Sequence, residues 1–191
     1  MSALTRSAAL AATLLLGSSL ALAQAQKVVP AQSEIGFTSK QMGVPVDGKF
    51  RKWDATISFD PKKPEASNVS FTIDTGSAGF GSPETDAEVP KPAWFNVAKF
   101  PQATFQSSGM KALGGGKFEV AGKLTIKGSV KDVVVPVALA QGTGGVTFAT
   151  GAFTIKRLDF KIGEGEWADT SMVANDVQVR FKLAVTGVAP L

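Results

Sequence analysis

From Ser33 onward, apolar residues recur at every second position, which is the period of a half-buried β-strand and not of a helix. Ile35 and Phe37 share one face of SEIGFTSK, with Glu34, Gly36 and Thr38 on the other. Between Val46 and Asp60, Trp53, Ala55, Ile57 and Phe59 oppose Lys52, Asp54, Thr56 and Ser58. Phe50 is out of phase with that set, so either it faces outward or a bulge near Arg51 and Lys52 resets the pleat. The pattern continues through Val69, Phe71 and Ile73, then Ala103, Phe105 and Ser107, then Phe118, Val120, Leu124 and Ile126. Val133, Val135, Val137 and Leu139 make the next run, with Pro136 on the other phase predicting an irregular or edge pairing. Phe148 stands on one phase of Val146 to Lys156, and Phe153 and Ile155 on the other, which leaves the facing of that strand open. Val177, Val179, Phe181, Leu183 and Val185 close the series against Asp176, Gln178, Arg180 and Lys182.

These runs predict about eight strands, separated by turn signals such as Gly114-Gly115-Gly116, Lys127-Gly128-Ser129 and Gly142-Thr143-Gly144-Gly145. Short links imply antiparallel pairing, and eight such strands suit either a two-sheet sandwich or an up-and-down barrel. One stretch breaks the rhythm. From Gly76 to Pro101 there is no alternation, and Pro83, Pro90 and Pro92 interrupt the chain. Ser82 reads as the N-cap of a helical turn, with Pro83 at its first position and Glu84 and Asp86 near the positive end of its dipole. The aromatic segment AWFNVAKFPQATF follows, and exposing it would leave an apolar patch, so it is expected to be ordered.

The start of the chain changes the compartment. Arg6, an apolar run from Ala8 to Leu22 and the small residues Ala21-Leu22-Ala23 or Ala23-Gln24-Ala25 read as a cleavable signal over residues 1–23, with cleavage after Ala25 as the alternative, and so as export to the periplasm. The apolar run is short for a membrane span, and residues 26–191 are expected to form a single domain. The net charge of +4, of which Arg6 leaves with the signal, is scattered and gives no basic groove for nucleic acid. The chain has no His, no Cys and no Tyr. Imidazole- and thiolate-based catalysis and metal sites are thereby unavailable, and no disulfide holds the fold. The acidic cluster Glu164, Glu166 and Asp169 sits in a glycine-bearing loop and reads as a solvated turn before a glycosidase pair. No enzyme, cofactor or metal is expected.

Several motifs together resemble the YceI-like family of exported bacterial proteins. Ser33, Ile35 and Phe37 meet its opening S-x-I-x-F, and Val46, Gly48 and Phe50 its v-x-G-x-F. Trp94, Phe95, Phe100, Pro101, Ala103, Phe105 and Ser107 meet its aromatic pattern. Leu124, Thr125, Ile126, Gly128 and Val133, then Arg157, Asp159 and Phe160, follow in order. Two departures stand out: Lys161 where many relatives carry glycine after R-x-D-F, and Asp86-Ala87-Glu88 where many carry a charged residue followed by histidine. The resemblance implies an all-β, lipocalin-like antiparallel barrel with a long helix-containing loop excursion. It also implies a linear isoprenoid, such as a polyprenyl phosphate or a quinone, threaded through the barrel.

On that reading Phe37, Ile57, Phe59, Phe71, Ile73, Phe105, Phe118, Leu124 and Phe181 are expected to line the tail site, with Trp94 and Phe95 closing its mouth. For inward aromatics in a small barrel, plain filled core is the competing role. Arg157 and Asp159, two apart on an extended segment, are expected to share a face and to pair with each other or with a neighbouring strand. Lys156, Arg157 and Lys161 are the candidates for a phosphate head group. Two other classes compete with a carrier: an outer-membrane barrel, opposed by the charged outward positions, and a filled β module that works by binding a partner. A homodimer and a membrane redox or lipid-pathway partner remain open.

Overall fold

Alternation becomes strand almost everywhere in the computed structural model, which describes residues 26–191. The signal expected over residues 1–23, or to 25, lies outside the described residues. Eleven strands form one antiparallel sheet: β1 (Lys27–Val28), β2 (Glu34–Gln41), β3 (Val44–Phe50), β4 (Trp53–Ser58), β5 (Asn68–Asp74), β6 (Ala78–Gly79), β7 (Gln102–Gly114), β8 (Lys117–Ile126), β9 (Ser129–Gln141), β10 (Val146–Lys156) and β11 (Asp176–Thr186). The lipocalin-like all-β class stands. The count exceeds the expected eight because β1 and β6 are two-residue strands and because Val46 to Asp60 is not one strand but parts of two.

The sheet runs β4-β5-β7-β8-β9-β10-β11-β2-β3-β6, with β1 on β11, and curls so that one face is enclosed. Its ladder does not close between β3 and β4. There the chain turns a corner at Arg51 and Lys52, whose amides donate to the Ser77 carbonyl at 3.1 Å and the Ser77 hydroxyl at 3.0 Å. That corner settles the phase of Phe50: the pleat resets, and Phe50 faces inward beside Phe37 at 5.2 Å between ring centroids. Farther along the same seam, the Gln26 side chain copies a strand. Its amide donates to the Phe59 carbonyl at 2.5 Å while its carbonyl oxygen accepts from the Phe59 N–H at 2.9 Å.

Pro136 does what its missing N–H dictates. β9 pairs with β8 over its first ten residues, yet with β10 only from Ala138 to Gln141. Below Pro136 the two strands part, and Phe160, 2 % exposed, packs into the core beside Ile126, Val135 and Ile155. β10 turns Thr147, Ala149, Phe153 and Ile155 inward, while Phe148 lies outside under the Lys182 ammonium, 4.9 Å from its ring centroid. The outer surface carries the exposed pairs Lys123–Asp132, Lys156–Asp176 and Arg180–Asp47. An outer face charged in this way meets water and not lipid tails.

The excursion is ordered. Helix α1 (Pro83–Glu88) begins at Ser82, whose hydroxyl accepts from the Thr85 N–H, with Pro83 at the first helical position. Asp86 binds the helix back to the barrel, accepting from the Phe80 N–H at 2.6 Å and from Arg51 at 3.2 Å. Those two bonds, the backbone one first, hold its carboxyl below the usual carboxylate range. After α1 the chain folds on itself through Phe95 N–H to Val89 O and Val97 N–H to Pro90 O. The excursion thus packs its aromatics against the barrel end.

Candidate functional site

The enclosed face is not filled. A cavity of about 250 Å³ runs along the barrel, walled by inward positions of every long strand. This is just under the range of roughly 300–1,000 Å³ usual for ligand cavities, and suits a narrow chain. All eleven residues expected at the tail site lie in its wall: Phe37, Ile57, Phe59, Phe71, Ile73, Trp94, Phe95, Phe105, Phe118, Leu124 and Phe181. Ser39, Thr147 and Arg157 are the polar residues among the lining side chains.

Three wall phenylalanines explain how a barrel rich in rings remains hollow. Phe37 stands opposite Gly48, and Phe181 opposite Gly151, on facing strands. Phe105 sits diagonal to Gly122. In each case a Cβ on the glycine would collide with the phenylalanine ring. The glycine therefore vacates the space in which the ring lies along the wall, instead of projecting to the axis. Aromatic cover of strand glycines also protects their backbone. A Gly48→Ala variant is expected to push the Phe37 ring toward the lumen and to lose about 1–3 kcal/mol of stability. Removing the ring as well, in Gly48→Ala with Phe37→Leu, should make the two changes non-additive in chemical denaturation. Strict additivity would mean that the contact is not what the glycine serves.

At the excursion end the wall is closed by Phe80, Val89, Trp94, Phe95 and Ile162. Phe95 meets Phe50 at 6.2 Å, and Trp94 meets Trp167 of the loop after β10 at 5.5 Å. Phe50, Phe80, Val89, Met110 and Ile162 escaped the reading of periodicity. Met110 follows a register shift between Ser107 and Gly109 that moves it to the inward face, and Phe80, Val89 and Ile162 lie where no alternation exists to read.

Arg157 departs from expectation. The segment Arg157–Phe160 is a 3-10 turn, not an extended strand, so Arg157 is 2 % exposed while Asp159 is on the surface. The two do not share a face or form a pair. The turn ends on Lys161 at φ +58°, a left-handed conformation that glycine adopts without penalty. The Arg157 guanidinium spends all five N–H groups on backbone carbonyls: Nε on Ala174, Nη1 on Ile162 and Gly163, and Nη2 on Trp167 and Val173, at 2.7 to 3.1 Å. Burial pulls its pKa below the usual guanidinium range; an arginine stays charged all the same. It works as the hub of the loop between β10 and β11.

Lys127 is a second buried cation, which the sequence presents only as part of a turn. Its ammonium, 5 % exposed, donates to Pro92 O at 2.8 Å, Lys161 O at 2.6 Å and the Glu164 carboxylate at 3.1 Å. It ties the excursion to the 161–164 loop, as do the Gly163 and Glu164 amides on Ala93 O. The expected head-group trio is not brought together at the cavity. Lys156 pairs with Asp176 outside, Lys161 is exposed, and only Arg157 reaches the wall. Glu166 and Asp169 are exposed, as a solvated turn requires, and Asp169 accepts from the Ser171 hydroxyl and amide. Among the described residues no His/Cys/Asp/Glu group able to hold a metal is present, and no helix is long and apolar enough to cross a membrane.

Comparison with known proteins places this geometry. The model of the YceI-like domain matches residues 26–185. A UPF0312 protein of Azotobacter vinelandii is 41% identical over 88 residues, 46% of either chain, so the match spans about half the length of such curated relatives. The crystal structure of Burkholderia cenocepacia BcnA superposes with a TM-score of 0.80 at 43% identity, covering 83% of this chain and 99% of that one. A polyisoprenoid binding domain from Saccharophagus degradans, implicated in plant cell wall breakdown, shares the fold at 16% identity with a TM-score of 0.68, covering 87% of this chain and 99% of that one.

Proposed function

Because this chain belongs to the YceI-like family, we propose that its barrel binds a linear isoprenoid lipid in the cavity and carries or sequesters it in the periplasm after export. The observation that carries the proposal is the hollow, apolar lumen walled by all eleven expected residues. The polyisoprenoid binding domain that shares the fold supports the class of ligand. Burial is worth roughly 0.8 kcal/mol per CH₂, so about ten carbons offer ~8 kcal/mol before ordering costs, in the micromolar range. The role needs shape and apolarity and no reacting group.

Native mass spectrometry of protein purified from its own host, with solvent extraction of what accompanies it, tests the proposal. The expected result is a mass shift that disappears on extraction and an isoprenoid in the extract. Protein that is repeatedly lipid-free, and that takes up no added isoprenoid, would leave the partner-binding module as the better account. Release by osmotic shock without detergent tests the compartment; retention in the cytoplasmic fraction would contradict export.

A further inference from the structure

Among the described residues the two most exposed large apolar side chains are neighbours, Met42 at 71 % and Val44 at 63 %. They form the tip of the β2–β3 hairpin, where Gln41 pairs with Val44 across a two-residue link. Met42 at φ +47° and Gly43 at φ +81° make it a turn in which both central residues are left-handed. Such a turn suits Asn-Gly or Asp-Gly, so a long apolar side chain at its first position works against the local backbone. A third exposed side chain stands beside it. Met172, 47 % exposed, accepts the Met42 N–H on its carbonyl at 2.8 Å. A Cβ on Gly43 would meet nothing within 4 Å, so the tip projects into solvent.

The tip belongs to the excursion end of the barrel. Gln41 bridges to Val173 in the loop after β10, and that same loop closes the lumen through Ile162 in the wall and Trp167 on Trp94. Arg157 joins the two parts, since the fork that holds the Val173 and Ala174 carbonyls also holds those of Ile162, Gly163 and Trp167. Three side chains on a convex tip cover far less than the roughly 800 Å² per partner of a stable protein interface. What fits them is a surface that yields, such as the boundary between lipid head groups and acyl chains. Lys40 at the base of the hairpin and Asp169 in the turn before Met172 are both exposed and of opposite sign, so apolar insertion and not charge would drive such docking.

We propose that Met42, Val44 and Met172 dock the excursion end of the barrel on a lipid bilayer surface, the phase into which a free isoprenoid partitions. The docking takes its purpose from the isoprenoid reading above and adds to it the surface by which the protein meets the membrane.

Flotation of the full mature chain with phosphatidylcholine vesicles, free of isoprenoid and prepared with or without phosphatidylglycerol, measures docking apart from ligand. The wild type is expected to bind reversibly, with phosphatidylglycerol raising the affinity by less than about fivefold, the worth of one basic residue. Met42→Asn should weaken binding about tenfold and leave the denaturation midpoint unchanged or higher, because Asn suits the turn. A merely structural role for Met42 would not give those opposite signs. Adding Val44→Ser should bring the loss to about a hundredfold. Leu113→Ser removes an exposed side chain, 51 %, at the opposite end of β7 and should bind as the wild type does. Wild type that does not float, a double variant that floats equally well, or an equal loss in Leu113→Ser would overturn the docking. So would a larger rise with phosphatidylglycerol, which would assign binding to overall charge, or a dimer in sedimentation that the double variant dissolves. None of these results touches the isoprenoid reading, and lipid-free protein in native mass spectrometry would overturn that reading while flotation stood.

Discussion

An Arg157→Met variant is expected to lose about 3–5 kcal/mol of folding stability, a large part of the total for a domain of this size. The side chain is 2 % exposed and its planar fork holds carbonyls at Ile162, Gly163, Trp167, Val173 and Ala174 in one place. Removing it leaves those acceptors without donors, in a segment that has little regular structure of its own to satisfy them. Arg157→Lys keeps the charge but offers three N–H groups from one atom, and is expected to recover less than half of the loss. Urea denaturation followed by circular dichroism measures both. A loss below about 1 kcal/mol for Arg157→Met would show that the loop is held by other contacts, Lys127 foremost. Since that loop closes the excursion end through Trp167 on Trp94 and Gly163 on Ala93, faster ligand exchange should accompany the loss in whichever variant still folds.

Phe71→Asp is expected to abolish lipid retention, weakening isoprenoid binding by at least about a hundredfold. Phe71 faces the cavity from β5, across from Phe105 at 6.5 Å, and no cation there has a free donor to meet a carboxylate. The new group must either hold a charge in the lumen or take up a proton and present a polar hydroxyl to hydrocarbon; both oppose the ligand. Because a buried carboxylate also strains the fold, Ala149→Phe serves as the partner experiment. Ala149 faces the same lumen from β10, and a ring there occupies the space without adding charge. It is expected to cost no more than about 1–3 kcal/mol of folding stability and to lose the lipid. Retention at the original level in both folded variants would place the ligand elsewhere.

Much of the wall was legible because a strand has a side-chain period of two. Ile57 and Phe59, Phe71 and Ile73, or Phe118 and Leu124 announce their shared face without help from the rest of the chain, and all reach the cavity. Phe50 was ambiguous since the corner at Arg51 and Lys52 is held by Ser77, a residue far along the chain. Met110 was missed because a bulge changes phase without leaving a mark in composition. Arg157 and Lys127 were misjudged or overlooked for one reason: what a cation does depends on which carbonyls surround it, and those come from segments that meet only in the folded chain.

The amino-acid sequence by itself determined an antiparallel β fold with one apolar face, its helical excursion, and the absence of imidazole and thiol chemistry, because strand period, capping and side-chain inventory are local properties. Whether that apolar face enclosed empty space or packed solid was decided only by tertiary structure. Register sets it: pairing puts Phe37 against Gly48 and Phe181 against Gly151, and sets Phe105 diagonal to Gly122, so that rings lie flat on the wall. A shift of one residue would send those side chains to the other face.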